Sequence, residues 1–483
     1  MRDEKDWKRG GERASAAALR ARTPTKFASP FRRTSLRRRT QRQKSTAVAA
    51  VGISSTRCYS LHRQRRKRAY SARGARETVE RGRRCLSDRQ HCRPVNIDEL
   101  REAVAWAVGE ERTLEVRGNG TKAGYGRPVE CSAVLETTGL AGIDMYEPDE
   151  LVMSAGAGTP LAEIEAALAE KGQMLAFEPA DYGAILGGEA GRQTIGGVFA
   201  ANLCGPRRIR SGAARDHLLG LQTVTGHGQI IKTGGRVVKN VTGYDLCKLL
   251  TGSMGTLAVM SHVTFKVLPA PETCGTLLLT GAARATLLGA LCRAMGSAFD
   301  VSSAALLPAA AAARSTVPDV SLAGGEVAAL RIEGPAPSVA YRISRLEDLL
   351  HDGEIECARL DPDGSALLWR EIRDAALLDR QAPLWRISTA PTAAADIAGE
   401  REDVLFDWSG GLIWATGDER GDLRARVDAT GGHATLVRAS PELRSAMAPF
   451  HPQAGPLRAL SRRVKNSFDP GRVLNSGRMY EGI

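Results

Sequence analysis

Residues 187–260 constrain this chain more than any other stretch. Glycine recurs there in short, differently spaced clusters: Thr194-Ile195-Gly196-Gly197, Gly234-Gly235, Gly243-Tyr244-Asp245 and Gly252-Ser253-Met254-Gly255. Apolar, strand-like runs separate them. Glycine permits positive φ and lets backbone approach a ligand where a Cβ would collide. One such loop means little. Four of them, separated by strands and free of bulky side chains, point to a large flat or extended ligand lying against backbone. The spacing is neither the G-x-G-x-x-G of a nicotinamide-binding βαβ unit nor a G-x-x-x-x-G-K-[ST] P-loop.

The net charge of the 483-residue chain, +13, misleads. Residues 1–95 hold 28 Lys and Arg against 7 Asp and Glu, a net of +21. The remaining 388 residues hold 39 against 47, a net of −8, and are long enough for two domains with sizeable cores. The first 95 residues are Arg-rich and poor in apolar side chains, so the expectation is a disordered extension that cannot offset its ordering entropy. A nucleic-acid-binding arm fits its charge, with slight aromatic interleaving at Phe27, Phe31, Tyr59 and Tyr70. A mitochondrial-type transit peptide fits its Arg and Ser content, but Asp3, Glu4 and Asp6 spoil the start. The preferred reading is a mis-assigned gene start, with translation beginning near Val95. N-terminal sequencing of the native protein checks this, and an intact Met1 rules it out.

Nine cysteines are scattered without a C-x-x-C pair, which is neither a disulfide framework nor an iron–sulfur or zinc site. The eight histidines are likewise unclustered, so no metal site is expected. No apolar run has the length of a membrane span. A cytoplasmic setting follows, with at most peripheral association with the inner face of the plasma membrane. No internal repeat is evident.

From Asn96 the pattern is that of a folded protein. Asn96 and Glu99 read as a capping box opening a helix that stops at Gly109. Residues 114–117 read as a strand running into the glycine-rich loop 118–124, a nest of backbone N–H groups suited to a phosphate or pyrophosphate. Residues 151–155 form a second strand, after which Thr159-Pro160 starts a helix with the hydroxyl as cap and proline at N1. Residues 217–223 and 229–232 read as a hairpin around Gly226-His227-Gly228. A strand over 257–268 ends at Pro269-Ala270-Pro271, a domain boundary. The Ala-rich stretch that follows carries helices at 286–295 and 338–350 and strands at 327–332 and 411–415. A helix over 457–468 leads into the tail.

These residues carry a family resemblance. The loop 117–122, the Thr194–Gly197 turn with Asn202 and Gly205, the segment 210–220, the turn 252–255 and the end of the chain, 468–479, resemble the vanillyl-alcohol-oxidase, or PCMH-type, FAD-linked oxidoreductases. Within that family, 201–212, 238–250 (VKNVTGYDLCKLL) and 431–438 (GGHATLVR) look like FAD-binding subunits of bacterial glycolate oxidases. The resemblance covers residues 96–483. It implies an α+β fold: a two-subdomain FAD-binding domain over 96–270, a smaller α+β cap or partner domain over 271–445, and a C-terminal helix and tail, 446–483, returning to the FAD domain. It implies FAD held by Arg117, Gly118, Asn119, Gly120, Thr121 and Lys122 around the pyrophosphate. Thr194, Gly196 and Gly197 would lie under the ribityl–pyrophosphate stretch, with Asn202 a further cofactor contact. Ser211, Gly212 and Asp216 would follow the cofactor along the second subdomain, and Gly252, Ser253, Gly255 and Val259 would face the adenosine or flavin. Gly234 and Gly235 read as a plain loop, and Asn240 and Tyr244 as either packing or cofactor contacts. Asn119 stands in the first loop, with no histidine or cysteine at the expected attachment point, so FAD is expected to be non-covalent.

Hydride transfer from an α-hydroxy acid to flavin requires a cation for the carboxylate and a base for the hydroxyl. Arg478 is a candidate for the cation. The base is unassigned: His217 and His433 read as structural. The histidine-rich H-x-G-D-G-N-x-H stretch of related dehydrogenases is absent, and its counterpart, 408–414, holds no histidine. One reading is therefore the FAD-binding subunit of a glycolate oxidase complex, acting on a small hydroxy acid with a paralogous FAD-linked subunit and an iron–sulfur subunit. The alternative is a self-sufficient FAD-dependent D-2-hydroxy-acid dehydrogenase. A nucleic-acid-binding protein would need a basic body, and this body is acidic.

Overall fold

A computed structural model describes residues 91–237, 243–351, 353–418 and 422–483; residues 1–90 and Asn240 lie outside this set. The first layer holds β1 (His91–Cys92), α1 (Ile97–Gly109), β2 (Leu114–Arg117) and β3 (Ala133–Glu136). The cap of α1 forms as its sequence prescribes. Asn96 Oδ1 accepts from the Glu99 N–H at 2.9 Å, while the Glu99 carboxylate accepts from the Val95 N–H at 3.1 Å. Leu100, Ala103, Val104 and Ala107 then bury one stripe of the helix. The strands run parallel in the order β1-β3-β2, and Leu474 of the tail bridges Leu114 on the open side of β2.

The second layer holds β4 (Ile143–Glu147), β5 (Val152–Gly156), α2 (Leu161–Ala169), β6 (Gln173–Met174), α3 (Ile195–Ala201), β7 (Leu218–Thr225), β8 (Ile230–Gly234) and β9 (Ala258–Lys266). Its antiparallel sheet has the order β4-β5-β9-β7-β8. The expected hairpin is β7–β8, with Leu221 opposite Thr233. One expectation needs correcting. Pro160, not Thr159, occupies the cap of α2, and the fully buried Thr159 hydroxyl instead donates to Gly156 O at 2.7 Å and accepts from Gly142 N–H at 2.9 Å. The hydroxyl ties two turns together because the preceding loop, rather than the helix end, is what lies within its reach.

β10 (Leu268–Pro269) pairs with β6, and the chain then enters an eight-stranded antiparallel sheet. Its first half is β11 (Thr273–Thr280), α4 (Arg284–Met295), β12 (Ser303–Leu307), β13 (Val327–Gly334), α5 (Ala336–Leu350) and β14 (Glu356–Leu360). After α6 (Pro362–Arg373) the second half repeats the plan: β15 (Leu384–Ser388), α7 (Ala394–Ala398), β16 (Val404–Asp407), β17 (Leu412–Thr416), α8 (Asp422–Asp428) and β18 (His433–Arg438). The order β14-β11-β13-β12-β16-β17-β15-β18 is two split βαβ units joined edge to edge at Leu306 and Phe406. This corrects the expectation of no internal repeat. The duplication is one of topology, with no period in the residues. Finally, α9 (Gly455–Phe468) leads into the tail.

Strand alternation sorts the faces of this sheet. Ala328, Leu330, Ile332, Trp385, Ile387, Ile413, Ala415, Ala434 and Leu436 join the α4–α5–α7–α8 core. Their neighbours, among them Arg331, Glu333, Arg386, Trp414 and His433, occupy the other face, toward the second layer. There Arg331, 3% exposed, makes paired bonds to Glu178 (2.9 and 2.7 Å) and reaches Ser303, while Arg207 binds Glu333. Two arginines and two carboxylates thus share one buried seam. The Arg207 hydrogen bonds and the Arg331 charge overcome burial and hold Glu333 down at about 2.

Removing one partner of such a network costs about 3–5 kcal/mol because its counter-charge stays buried. Glu333→Gln is therefore expected to lower the unfolding free energy strongly at pH 7. A depressed carboxylate pKa stabilises the fold above the unfolded-state value, so this loss should shrink as pH falls from ordinary carboxylate values toward about 2. Chemical denaturation of both proteins across that range checks it; a pH-independent difference would count against the ion-pair account.

Candidate functional site

The glycine-rich loop after β2, the start of α3, the Met254-Gly255 turn and the first residues of β9 line one open cleft. Arg117, Gly118, Asn119, Gly120, Thr121 and Lys122 form one wall. Thr194, Gly196 and Gly197 form the floor, and Gly255 and Val259 the opposite wall. Eleven of the residues singled out from sequence thus surround one cavity.

The glycines do different work. A Cβ on Gly118 would lie 2.4 Å from Thr194 Oγ1, and one on Gly196 would lie 2.7 Å from Ala157 O, so these two let backbone segments pack together. A Cβ on Gly197 meets nothing closer than Thr194 Oγ1 at 3.3 Å and Lys122 Nζ at 3.5 Å, so it would project into the cleft. Thr194 caps α3 by accepting from the Gly197 N–H at 3.3 Å. Asn119 ties the loop to Arg192 O at 2.9 Å.

Lys122 adds a feature that the backbone-only picture of the loop missed. Its ammonium donates to Gln193 Oε1 at 2.6 Å. Burial, opposed by Asp181 and reinforced by Arg478, lowers its pKa to about 7. An arriving dianion would restore its charge. Arg478 approaches the same loop. It lines this first cleft and holds the loop by donating to Lys122 O at 2.6 Å, with its Nε unpaired.

The remaining candidates lie elsewhere. Ser211, Gly212 and Asp216 do not line the cleft: Asp216 closes its own turn by accepting from the Ala213 N–H at 2.9 Å, and Ser211 O bonds His217 Nε2 at 2.8 Å. Gly252 bonds back to Phe199 O, and Ser253 is buried beneath the turn with an unpaired hydroxyl. Asn202, at φ 51°, ends α3 and faces a second cavity instead. His217 is structural, packed on Phe177 at 5.1 Å. Tyr244 is exposed.

That second cavity begins at Ala201, which lines both. It lies between the first two layers and the repeated sheet. Arg386 and Ser388 of β15, Trp414 of β17, and His433 and Thr435 of β18 present their side chains to it. Tyr125, Tyr182, Cys204, Arg208, Trp408, His451 and Tyr480 are also among its lining. His433 and His451, 18 residues apart, thus meet in space, although no cluster of three or more metal-ligating side chains forms among the described residues. The sequence carried one signal for this cavity: an arginine in the otherwise apolar strand pattern Leu384-Trp385-Arg386-Ile387, where a charge is seldom buried without purpose.

This two-part fold and glycine-lined cleft define a class. A family model described as an FAD binding domain matches residues 90–234. Among solved structures, p-cresol methylhydroxylase with substrate bound aligns with a TM-score of 0.64 over 84% of this chain and 96% of that one, at 12% identity. The 4-ethylphenol oxidase from Gulosibacter chungangensis aligns at 0.59 over 81% and 89%, at 14% identity. At such identities the likeness shows the fold.

Glycolate oxidase subunit GlcE of Escherichia coli (strain K12) is 35% identical over 394 residues, 79% of this chain and 96% of that protein. The chain belongs to the GlcE family of FAD-linked oxidoreductases, and its cofactor is FAD. Glycolate oxidase subunit GlcD of Bacillus subtilis (strain 168) is 33% identical over 186 residues, 38% of each chain. D-lactate dehydrogenase of Archaeoglobus fulgidus is 34% identical over 178 residues, 37% of this chain and 38% of that one.

The first cleft fits this cofactor, since Gly197 leaves open the space that a side chain would fill. Gly197→Val is expected to abolish FAD binding while changing apoprotein stability by less than about 1 kcal/mol. Gly196→Val should instead destabilise the apoprotein through its clash with Ala157. Flavin absorbance per chain and thermal melts of the two variants check this; a full flavin complement in Gly197→Val would move the cofactor elsewhere.

Proposed function

We propose that the chain is the FAD-binding subunit of a glycolate oxidase (glycolate dehydrogenase) complex that oxidises glycolate to glyoxylate. The observation that carries this reading is the 35% identity to GlcE across 96% of that protein, with the cofactor cleft inside the shared region. In this reading the backbone of residues 117–122 takes the pyrophosphate, with Lys122 supplying charge at its edge. Gly196, Gly197, Gly255 and Val259 lie along the extended cofactor, and Arg478 holds the loop in place. Bound FAD supplies a two-electron acceptor.

The electrons must then leave. No metal-ligating cluster occurs among the described residues, so a paralogous flavoprotein and an iron–sulfur subunit are the fitting partners. No helix among the described residues is long and apolar enough to cross a membrane, and the setting that fits is cytoplasmic with at most peripheral contact with the inner membrane face. In this reading FAD is held non-covalently, since Asn119 stands in the first loop where a covalent attachment would be expected.

The cationic cavity beyond Ala201 favours a second reading, a self-sufficient D-2-hydroxy-acid dehydrogenase. Anaerobic addition of glycolate or D-lactate to the purified, FAD-loaded chain separates the two. A subunit that depends on its partners keeps its oxidised flavin spectrum, which is the expected result, while a self-sufficient enzyme bleaches. Acid precipitation should release the flavin. Deleting the chain from its host should abolish glycolate-dependent dye reduction; retained activity would remove the glycolate assignment.

A further inference from the structure

Arg386 sits in an unusual position for a charge. Its guanidinium lies over the Trp408 ring at 5.1 Å from the centroid and near the Trp414 ring at 5.9 Å. Burial works against its charge, and the groups that offset it are Cys204, Tyr182, Tyr125 and Asp407. None of them makes an ion pair with it. Asp407, the one carboxyl of the four, accepts from the Trp408 N–H at 2.8 Å and is itself pushed up to about 7 by burial. Elsewhere on this sheet face Arg331 and Arg207 are each saturated by carboxylates. Arg386 has two aromatic faces for its planar group, a side-chain hydrogen bond to Cys204, and a cavity for its remaining donors. The turn that supplies Trp408 has positive φ at Trp408, Ser409 and Gly410 (54°, 59° and 95°), a backbone conformation held against its own preference. Trp408 is pinned from the other side by its Nε1–H donating to Gly205 O at 3.2 Å.

The strand register sets what can bind. Arg386 stands opposite Thr435 and Ser388 opposite His433, so Arg386 and His433 are diagonal neighbours on one face. Such positions lie about 7–8 Å apart, within reach of the two ends of a short bridging molecule. His451 has both ring nitrogens engaged, by the Ala434 N–H at 3.3 Å and by Asp428 at 2.9 Å. Among the described residues, His433 has no such side-chain partner. Burial, then the Arg386 and His451 charges, lower its pKa. The other cation of the lining, Arg208, is within ion-pair distance of Asp216 at 3.6 Å. One guanidinium without a carboxylate ion pair among the described residues suits one carboxylate.

We infer that the second cavity of this chain itself binds a small 2-hydroxy- or 2-oxo-monocarboxylate, with the carboxylate on Arg386 and the C2 oxygen facing His433. Arg386 supplies the planar, bidentate donor set that a carboxylate matches, and the tryptophan clamp fixes its orientation before the ligand arrives. This deepens the glycolate reading and rests on it for placing the flavin at the Ala201 end of the cavity. It also means that the absence of a histidine-rich stretch does not leave the chain without a substrate site.

The test is calorimetric titration of the full chain with glyoxylate, glycolate and acetate, alongside FAD content and a melting curve for each protein. Wild type is expected to bind glyoxylate and glycolate more tightly than acetate. Arg386→Met should weaken all three by about 30-fold or more, the loss of a charge-assisted pair, with FAD content unchanged. Arg386→Lys should recover only part of the affinity. His433→Gln should weaken glycolate several-fold and leave acetate unchanged, and this comparison decides the matter should Arg386→Met fail to fold. Absence of carboxylate binding in FAD-loaded wild type, or wild-type affinity in folded Arg386→Met, would overturn the inference while leaving the FAD reading intact. A wild-type chain that holds no FAD would sink the flavin reading instead; titration of that chain still decides the carboxylate site, because both residues belong to the repeated sheet.

Discussion

The ion pair between Lys465 and Asp469 organises both walls of the cofactor cleft. Both side chains are fully buried, 2.8 Å apart and one turn apart at the end of α9. Lys465 also donates to Thr256 O at 2.6 Å and Leu474 O at 3.0 Å, and Asp469 accepts from the N–H groups of Val473 and Leu474. Burial lowers the Lys465 pKa, and the Asp469 charge and hydrogen bond oppose that shift. The consequence is positional. Leu474 is laid beside Leu114 of β2, and Asn475 bonds Val116 N–H at 2.8 Å and Met254 O at 2.8 Å. One loop of the cleft follows β2 and the other follows Met254, so a single side-chain amide sets their separation. A Cβ on Gly226 would lie 2.2 Å from Asp469, which is why the β7–β8 turn carries glycine there.

The two cavities that meet at Ala201 differ in physical character. The first is lined by glycine backbone, small side chains and a lysine brought near neutrality by burial, an environment that takes a large polyanionic ligand through many weak donors. The second is aromatic and cationic, with one charge clamped in a fixed plane. The first comes from local sequence: loops at strand ends. The second comes from strand register, because Arg386, Trp414, Thr435 and His433 reach one another only across β15, β17 and β18.

That difference explains what could be read from residue order. The loop 117–122 and the Thr194–Gly197 turn were legible because their chemistry is carried by consecutive residues. The cap of α1 and the β7–β8 hairpin were legible for the same reason. Ser211, Gly212, Asp216, Gly252 and Ser253 sit in equally glycine-rich text, yet they support turns beside the cleft; glycine marks a tight backbone without saying what lies against it. Arg478 was singled out because a guanidinium matches a carboxylate, and its hydrogen bond to the Lys122 carbonyl appears only in the packed chain. The two split βαβ units were invisible as a repeat because packing requires only alternation, which many residues satisfy.

By itself, the sequence determined the kinds of element in this protein and the nature of the backbone loops at their ends, since propensity, capping and turn chemistry act over a few neighbouring residues. It also determined that the body is acidic and that no metal-ligand motif recurs. Only the tertiary structure decided which glycines face open space, that Arg386 lies over two tryptophans without a carboxylate ion pair among the described residues, and that His433 faces the same cavity. Those properties depend on what the rest of the chain brings to within hydrogen-bonding distance, and Arg386 and Arg331, both arginines in apolar strands, differ in nothing else.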